Sequence, residues 1–463
     1  MSQIQSTPTS SGEKPFHKSD SIVDGSGNIY PDRGEWNKYK KIFFRFAFIY
    51  FFVQSVPLDW KFYKELFSVD WSHLHVYELL ILTRYLPQFF DLPGFANWVV
   101  VIIIAALGTA AWTYYDKDKS KEYHTLYYWL RVILRYRLAA GIIAYGFIKF
   151  FPLQMPYPSL SNLHTNYGEF LPWKIYYNTI GITSWYEPFL GAVEILAGLL
   201  LFFRRTTTFG AGIAAGFIGN VLAVNFAYNV GEQVYSTSLV LIAFFLLAYD
   251  VPRLYSLLIE QRYTLADKFI PTFSKEWLKK TRIALKGAFI VFILLFGYKT
   301  YSNYTNHPYL IPKTHGLSGS YGFYNVKEFK LNNQSIPYSV IDTNRWQNVV
   351  FEKWATLSVK IAGPIKLDIS AGNGIHDDSY EEAGVGDRRY FSYTADTINH
   401  TLSLQNKNPN YKDDQLLLHY NQPDSSTFIL TGVNENKDSI YVVLDKVVKK
   451  YIFYEGRRKP LKL

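Results

Sequence analysis

Residues 209–230, FGAGIAAGFIGNVLAVNFAYNV, carry no charged side chain. A run of roughly 20 apolar residues matches the hydrocarbon thickness of a bilayer. In lipid every backbone N–H and C=O must find a partner within the chain, which leaves the helix and the closed barrel. Six further stretches have the same character: 42–57, 96–115, 127–151, 186–203, 236–250 and 284–301. Those at 42–57 and 236–250 are short for a straight crossing, and their ends are expected to reach into the interface. The pattern predicts a polytopic α-helical membrane bundle of about seven spans.

The basic residues orient that bundle. Lys38, Lys40 and Lys41 precede the first span, Lys117, Lys119 and Lys121 follow the second, and Arg204 and Arg205 follow the fourth. The loop at 251–283 holds Arg253, Arg262, Lys268, Lys275, Lys279, Lys280 and Arg282. The alternate loops, 58–95, 152–185 and 231–235, carry only Lys61, Lys64, Arg84 and Lys174. An excess of Lys and Arg marks the cytoplasmic side. This predicts a cytoplasmic N-terminus in a bacterial inner membrane, and after seven spans an extracytoplasmic C-terminal domain. A net charge of +10 would point to nucleic acid in a soluble chain. Here topology accounts for it, and no nucleic-acid partner is expected.

Residues 1–35, rich in Ser, Gly and Pro, read as a disordered cytoplasmic tail. No cleavable signal begins the chain, so the first apolar segment is expected to stay as an anchor. Residues 36–126 hold the N-terminal spans with their external loop, and 127–250 a four-helix core. The segment 251–283 mixes apolar and basic residues and reads as interfacial helices on the inner leaflet. A last span follows at 284–303.

From 304 to 463 the period changes to two. HTLSLQ, QLLLHYN, STFILTG and SIYVVLDKV alternate apolar and polar residues and are separated by Asn-, Pro- and Asp-rich turns. VKEFKLNN and ATLSVKIAG add two candidate strands. An antiparallel meander of this length can bury its own core, so an all-β sandwich- or barrel-like domain is predicted. The aromatic segment RWQNVVFEKWATLSVKI (345–361) is either strand core or an exposed face for a protein or glycan.

The third span is the anomaly. Arg131, Arg135, Arg137 and Lys149 interrupt it, and each cation at a bilayer centre costs roughly 2.5–3.5 kcal/mol on insertion scales. Arg131 and Lys149 are 18 residues apart, about five turns, with Arg135 only about 40° away. On one account the arginines reach the inner headgroups, with Asp250 available to pair with one of them. Lys149 lies at the other end, where Glu187 and Glu194 share a face of the fourth span. The fifth span offers Asn220, Asn225 and Asn229 in its outer half, and a small face of Gly212, Gly216 and Gly219 with Ala211 and Ala215 for close helix contact. Two readings follow. Lys149 and Glu194 form a structural pair, or Tyr145, Lys149, Glu187, Glu194, Asn220 and Asn225 line a polar, ligand-binding pocket open to the outside.

Other chemistry is bounded by absences. The chain has no cysteine, which excludes thiol nucleophiles, cysteine-ligated clusters and covalent c-type haem for this chain alone. All ten histidines lie outside the apolar spans, so bis-histidine b-haem in the bundle is not expected. His73 and His75 are a weak metal hint, and HDDSYEEAGVGD (376–387) lacks EF-hand spacing and reads as a solvated acidic loop rather than a Ca²⁺ site. No cofactor is evident and no metal site is expected.

LRYRLAAGIIAYGFIKFFP, followed by GAVEILAGLLLFFRR and the Gly/Ala-rich fifth span, resembles the DoxX-like family of bacterial membrane proteins. Gly146, Lys149 and Phe150 match the element that closes that family's first core helix, and Glu194, Gly198 and Leu199 match its second. The resemblance covers about 127–250. It implies a four-helix membrane core and, because the family includes subunits of quinone-linked oxidoreductases, a quinone or lipid-like ligand and a redox partner subunit. The chain departs from simpler members in its extra N-terminal spans, the long 152–185 loop and the β domain. Against this stands a non-catalytic envelope anchor that presents the β domain to another protein or glycan. As an isolated chain it is not expected to be a self-sufficient enzyme, and a transporter lacks the expected inverted repeat.

Overall fold

A computed structural model describes residues 36–69, 76–89, 94–117, 122–262, 264, 269, 271, 276–306, 312–368, 380–434 and 436–451, and the backbone of 21–23 and 29–31. His73, His75 and most of the 1–35 tail lie outside the described residues. Within that tail, β1 (Ser21–Val23) and β2 (Ile29–Pro31) pair antiparallel, an element the tail's composition does not announce.

The N-terminal helices are α1 (Lys38–Ser55), α2 (Trp60–Ser68), α3 (Val76–Thr83), α4 (Ala96–Asp116), α5 (His124–Phe150), α6 (Leu160–Leu163) and α7 (Pro172–Gly181). They are followed by α8 (Tyr186–Phe202), α9 (Thr207–Ala227), α10 (Gln233–Ala248), α11 (Val251–Leu258) and α12 (Glu276–Asn306). Each of the seven apolar stretches is helical. By length and composition four stretches can cross a membrane: Lys38–Ser68, Ala96–Asp116, Thr207–Ala227 and Ile283–Asn306. The number is six if two bent pairs each count once, α7 with α8 at 94° and α10 with α11 at 64°. The four cations of α5 keep it outside that set.

Of the small face expected on α9, Ala211 and Ala215 are buried in the bundle core, but the three glycines are not. A Cβ at Gly212, Gly216 or Gly219 would meet nothing within 4 Å, so these glycines make no tight contact. The tight contact is α5 against α8. A Cβ at Gly191 would sit 2.3 Å from the Phe150 backbone nitrogen, and one at Gly198 2.3 Å from Ile143. Glycine here lets two backbones approach.

The loop at 58–95 is also more than a loop. Leu80 of α3 is buried with Ala144 and Ile148 of α5 and Phe296 of α12. The end of α3 leaves carbonyls without helical partners. Arg137 donates to Thr83 O and to Tyr85 O (2.6 Å), and Tyr235 Oη donates to Thr83 O (2.9 Å). Arg135 serves the end of α8 in the same way, donating to Leu201 O and Phe202 O, both at 2.9 Å. These two arginines therefore hold backbone rather than reaching headgroups. Arg131 alone meets Asp250, at 3.8 Å, with its guanidinium 3.5 Å from the Tyr249 ring centre.

The C-terminal domain is a closed antiparallel β-barrel. Its strands are β3 (Gly322–Leu331), the short β4 (Gln334–Ser335), β5 (Asn348–Phe351), β6 (Thr356–Lys360), β7 (Arg388–Asp396), β8 (Thr401–Asn406), β9 (Gln415–Asn421), β10 (Thr427–Val433) and β11 (Ser439–Lys446). Neighbours pair in the order β3-β5-β6-β7-β8-β9-β10-β11, and β11 returns to β3, so eight strands close and β4 extends β3. The sandwich-or-barrel expectation thus resolves to a barrel. Period-two alternation sends Leu402, Leu404, Leu416, Leu418, Phe428, Leu430, Val442 and Leu444 inward. Tyr324, Phe351 and Phe391 complete a filled interior. Trp346 and Phe351 from the aromatic 345–361 segment belong to this core, so they form no exposed face.

The loop at 152–185 clasps the barrel wall. Glu352 accepts from Leu160 N (3.2 Å), Ser161 N (2.7 Å) and Ser161 Oγ (2.6 Å). Ser358 Oγ meets Ser161 Oγ at 2.8 Å, and Asn162 Nδ2 donates to Tyr390 Oη at 3.0 Å. Leu171 N donates to Gly384 O (2.9 Å), Gly386 N donates to Glu169 O (2.8 Å), and Lys174 donates to Tyr380 O. The described part of the acidic 376–387 segment lies in this seam. Glu381, Glu382 and Asp387 are buried there, not solvated. Burial, and for Glu352 the neighbouring Glu381, pushes the Glu352 and Glu381 carboxyls up, and burial pushes Glu382 up to about 8.

Candidate functional site

α5 and α8 run antiparallel, so the C-terminal turn of α5 and the first turns of α8 meet at the barrel-side end of the bundle. Lys149 and Glu194 face each other there, and Lys149 Nζ donates to Glu194 Oε1. Their side chains are 7% and 1% exposed. Glu194 Oε2 is buried and has no hydrogen-bond partner among the described residues. Removing a carboxylate from solvent and leaving an oxygen unbonded is costly. That oxygen belongs to a residue lining a cavity of about 40 Å³, room for a few waters at about 10–15 Å³ each.

Of the residues expected from the sequence, Tyr145, Lys149, Glu194 and Asn225 line this cavity. Asn220 does not. It is exposed, because α9 buries Ala211, Ala214, Ala215, Ile218 and Asn225 along one face, and Asn220 lies about 140° from Asn225 around the helix. Glu187 is buried but sits apart from the lining. Its Oε1 accepts from Gln154 N (3.2 Å) and Met155 N (3.0 Å), which turns the chain after α5.

Sequence reading missed Gln154, Glu232, Tyr235 and Ser236, which complete the polar lining. The last three stand at i, i+3 and i+4 at the start of α10. That spacing puts them on one helix face and was a legible signal. Asn225 Nδ2 donates to Ser236 Oγ at 2.9 Å, which joins α9 to α10 across the cavity. Arg84, from the chain after α3, pairs with Glu232 at 2.5 Å and lies 6.0 Å from the Tyr145 ring centre. The Tyr145 and Tyr235 rings are 5.6 Å apart. Gln154 Nε2 donates to Tyr177 Oη at 3.4 Å, which links the lining to α7 and through it to the barrel seam.

The site therefore combines a cation, two carboxylates of which Glu194 has an unbonded acceptor oxygen, two phenols, two side-chain amides and a hydroxyl around a small void. It can donate hydrogen bonds to a carbonyl oxygen and accept one from a hydroxyl. Another buried cation, Arg45 of α1, stands apart from it. Its guanidinium is held by Tyr123 Oη (2.7 Å), Thr113 Oγ1 (2.8 Å) and Asp116 (2.6 Å) and ties α1 to α4.

Comparison with known proteins adds one partial likeness. No protein-family model matches the chain, and no solved structure matches it. The uncharacterized protein YwoB of Bacillus subtilis (strain 168) is 39% identical over 70 residues, 15% of this chain and 46% of that one. The match thus covers less than half the length of that relative.

Proposed function

We propose that this chain is a multi-pass protein of the bacterial inner membrane whose barrel-side cavity receives the headgroup of a quinone or similar lipid-like amphiphile, acting with a partner subunit. In this reading α1, α4, α5, α8, α9, α10 and α12 cross the bilayer, the N-terminus is cytoplasmic and the barrel is extracytoplasmic. The Lys and Arg asymmetry of the loops supports the orientation. The DoxX-like pattern of Gly146, Lys149, Phe150, Glu194, Gly198 and Leu199 supports the ligand class. The observation that carries the reading is the buried Lys149–Glu194 pair with one carboxylate oxygen left open beside a cavity. An ionisable pair in such a place marks function more often than glue.

A quinone carbonyl would accept from Lys149, and a reduced quinol hydroxyl would donate to Glu194. The headgroup replaces the waters that fit the cavity, and admitting a ring to about 40 Å³ requires the lining residue Glu232, held by Arg84, to give way. The chain has no cysteine, so electrons pass through the ligand and the partner rather than through a thiol of this subunit.

Organic extraction and mass spectrometry of the protein purified in mild detergent tests this, beside Lys149→Ala and Glu194→Gln variants that still fold. Stoichiometric quinone in the parent, lost in both variants, is the expected result. Equal recovery from all three sinks it. The second reading is a non-catalytic anchor that presents the barrel. The filled barrel interior favours it, because such a barrel offers only its outer surface. Absence of any enriched ligand in the parent would select that reading.

A further inference from the structure

A larger cavity lies outside the Lys149–Glu194 site. It measures about 280 Å³ and is a half-open cleft between α2 and the chain at 81–88. Asp59, Lys61, Glu65 and Arg84 bring two carboxylates and two cations to its lining, with the rings of Phe62 and Tyr85 between them. A wall balanced in this way suits a ligand carrying both charges better than a simple anion or cation. Two parts of the lining are held in place. Asp59 Oδ1 accepts from Phe62 N at 2.9 Å and caps α2, while Arg137 secures the backbone at Tyr85.

α2 and the residue before it also expose large apolar side chains, beside the exposed Lys61, Lys64 and Glu65. Leu58, Trp60 and Phe67 are 57%, 74% and 75% exposed. A short helix that exposes aromatics beside charges lies flat in a membrane interface. Headgroup chemistry and acyl-chain chemistry thus meet along nine residues.

We propose that this cavity binds the headgroup of a phospholipid carrying a primary ammonium and a phosphodiester, with its acyl chains along the exposed aromatic side chains of α2. The phosphodiester lies against Arg84 and Lys61, and the ammonium against Asp59 and Glu65. A primary ammonium donates three hydrogen bonds, which two carboxylates can accept and a quaternary ammonium cannot supply. Arg84 links the two cavities, since it lines this one and pairs with Glu232, which lines the first. A phosphodiester drawing on Arg84 therefore weakens its hold on Glu232 and loosens the lining there. The inference rests on the membrane placement above but not on the identity of the ligand at Glu194.

The test is native mass spectrometry of the full chain in mild detergent. The probes are dioleoyl phosphatidylethanolamine, the matching phosphatidylglycerol and phosphatidylcholine, and soluble glycerophosphoethanolamine. Retention of phosphatidylethanolamine about tenfold above the other two lipids is expected. That preference should vanish in Lys61→Glu and Glu65→Lys, both at exposed positions of α2, and survive in Glu194→Gln. Equal retention of the three lipids, or a preference unmoved by the α2 variants, overturns the proposal. Binding of the soluble headgroup as tightly as the lipid overturns its membrane source. Loss of the preference in Glu194→Gln would place the lipid in the first cavity and overturn the assignment to this one.

Discussion

Glu194 and Glu352 are both buried carboxylates, and they are treated in opposite ways. Glu352 sits in the seam between loop and barrel and collects three hydrogen bonds from Leu160 and Ser161. Glu194 sits in the bundle with Lys149 for a partner, one oxygen unbonded and a void beside it. A carboxylate with both oxygens engaged positions backbone, and its removal loosens a joint. A carboxylate with an acceptor oxygen held open in a buried place has a cost that packing does not return. The difference separates Glu352 of the clasp from Glu194 of the candidate site, although Glu382 in the clasp also leaves both its oxygens unbonded among the described residues.

The sharpest way to break that comparison is at Lys149. Lys149→Met leaves Glu194 buried without its cation and should cost about 3–5 kcal/mol, read as a lower thermal midpoint in detergent. The double variant Lys149→Met with Glu194→Leu should recover most of that loss while extracted ligand stays absent. If the double variant keeps the ligand, the pair is glue and the comparison fails.

Glu352→Ala comes next, at about 1–3 kcal/mol for the donors left without an acceptor. Faster hydrogen exchange at Leu160 and Ser161, with the ligand content unchanged, is the expected result. A loss of ligand would show that the seam and the cavity act as one unit.

pH sharpens the contrast further. Burial raises Glu352 and Glu381, and raises Glu382 from an unfolded value of 4.5 to about 8. The folded seam therefore holds protons that the unfolded chain releases. Its stability is full below about pH 4.5 and declines as pH rises toward 8. The barrel should melt at a lower temperature at pH 8.5 than at pH 5.5 when followed by tryptophan fluorescence. Glu382→Gln should flatten that slope, and a slope of the opposite sign would refute the assignment.

Smallest of all is Asn220→Ala. Its side chain is exposed, so stability should move by less than about 0.5 kcal/mol and ligand content should not change. A measurable loss of ligand would extend the site around α9.

Much of the fold was legible because two periods are written plainly in the chain. The apolar runs mark α1, α4, α8, α9, α10 and α12, and alternation in β8 to β11 marks the meander. Closure was not legible, because the pairing of β3 with β11 joins residues more than a hundred apart and leaves no local trace. The site was half legible. Lys149 and Glu194 stand out because charge in an apolar run is expensive. Arg84 and Gln154 do not, because they lie in loops where polar residues are ordinary. Asn220 misled because helical depth was weighed before helical face. Glu381 and Glu382 misled because an acidic cluster usually faces water, whereas here another loop covers it.

The closure of the barrel also sets an order of events. Ser161 and Glu352 are 191 residues apart, and β3 finds its second neighbour only when β11 has been made. The 152–185 loop is therefore synthesised and in place long before the wall it clasps exists. A chain ending before Ser439 leaves β3 and β10 with open edges, the arrangement most prone to pair with a neighbouring molecule. The last strand to be made thus protects the first, and the domain passes from vulnerable to sealed in one late step.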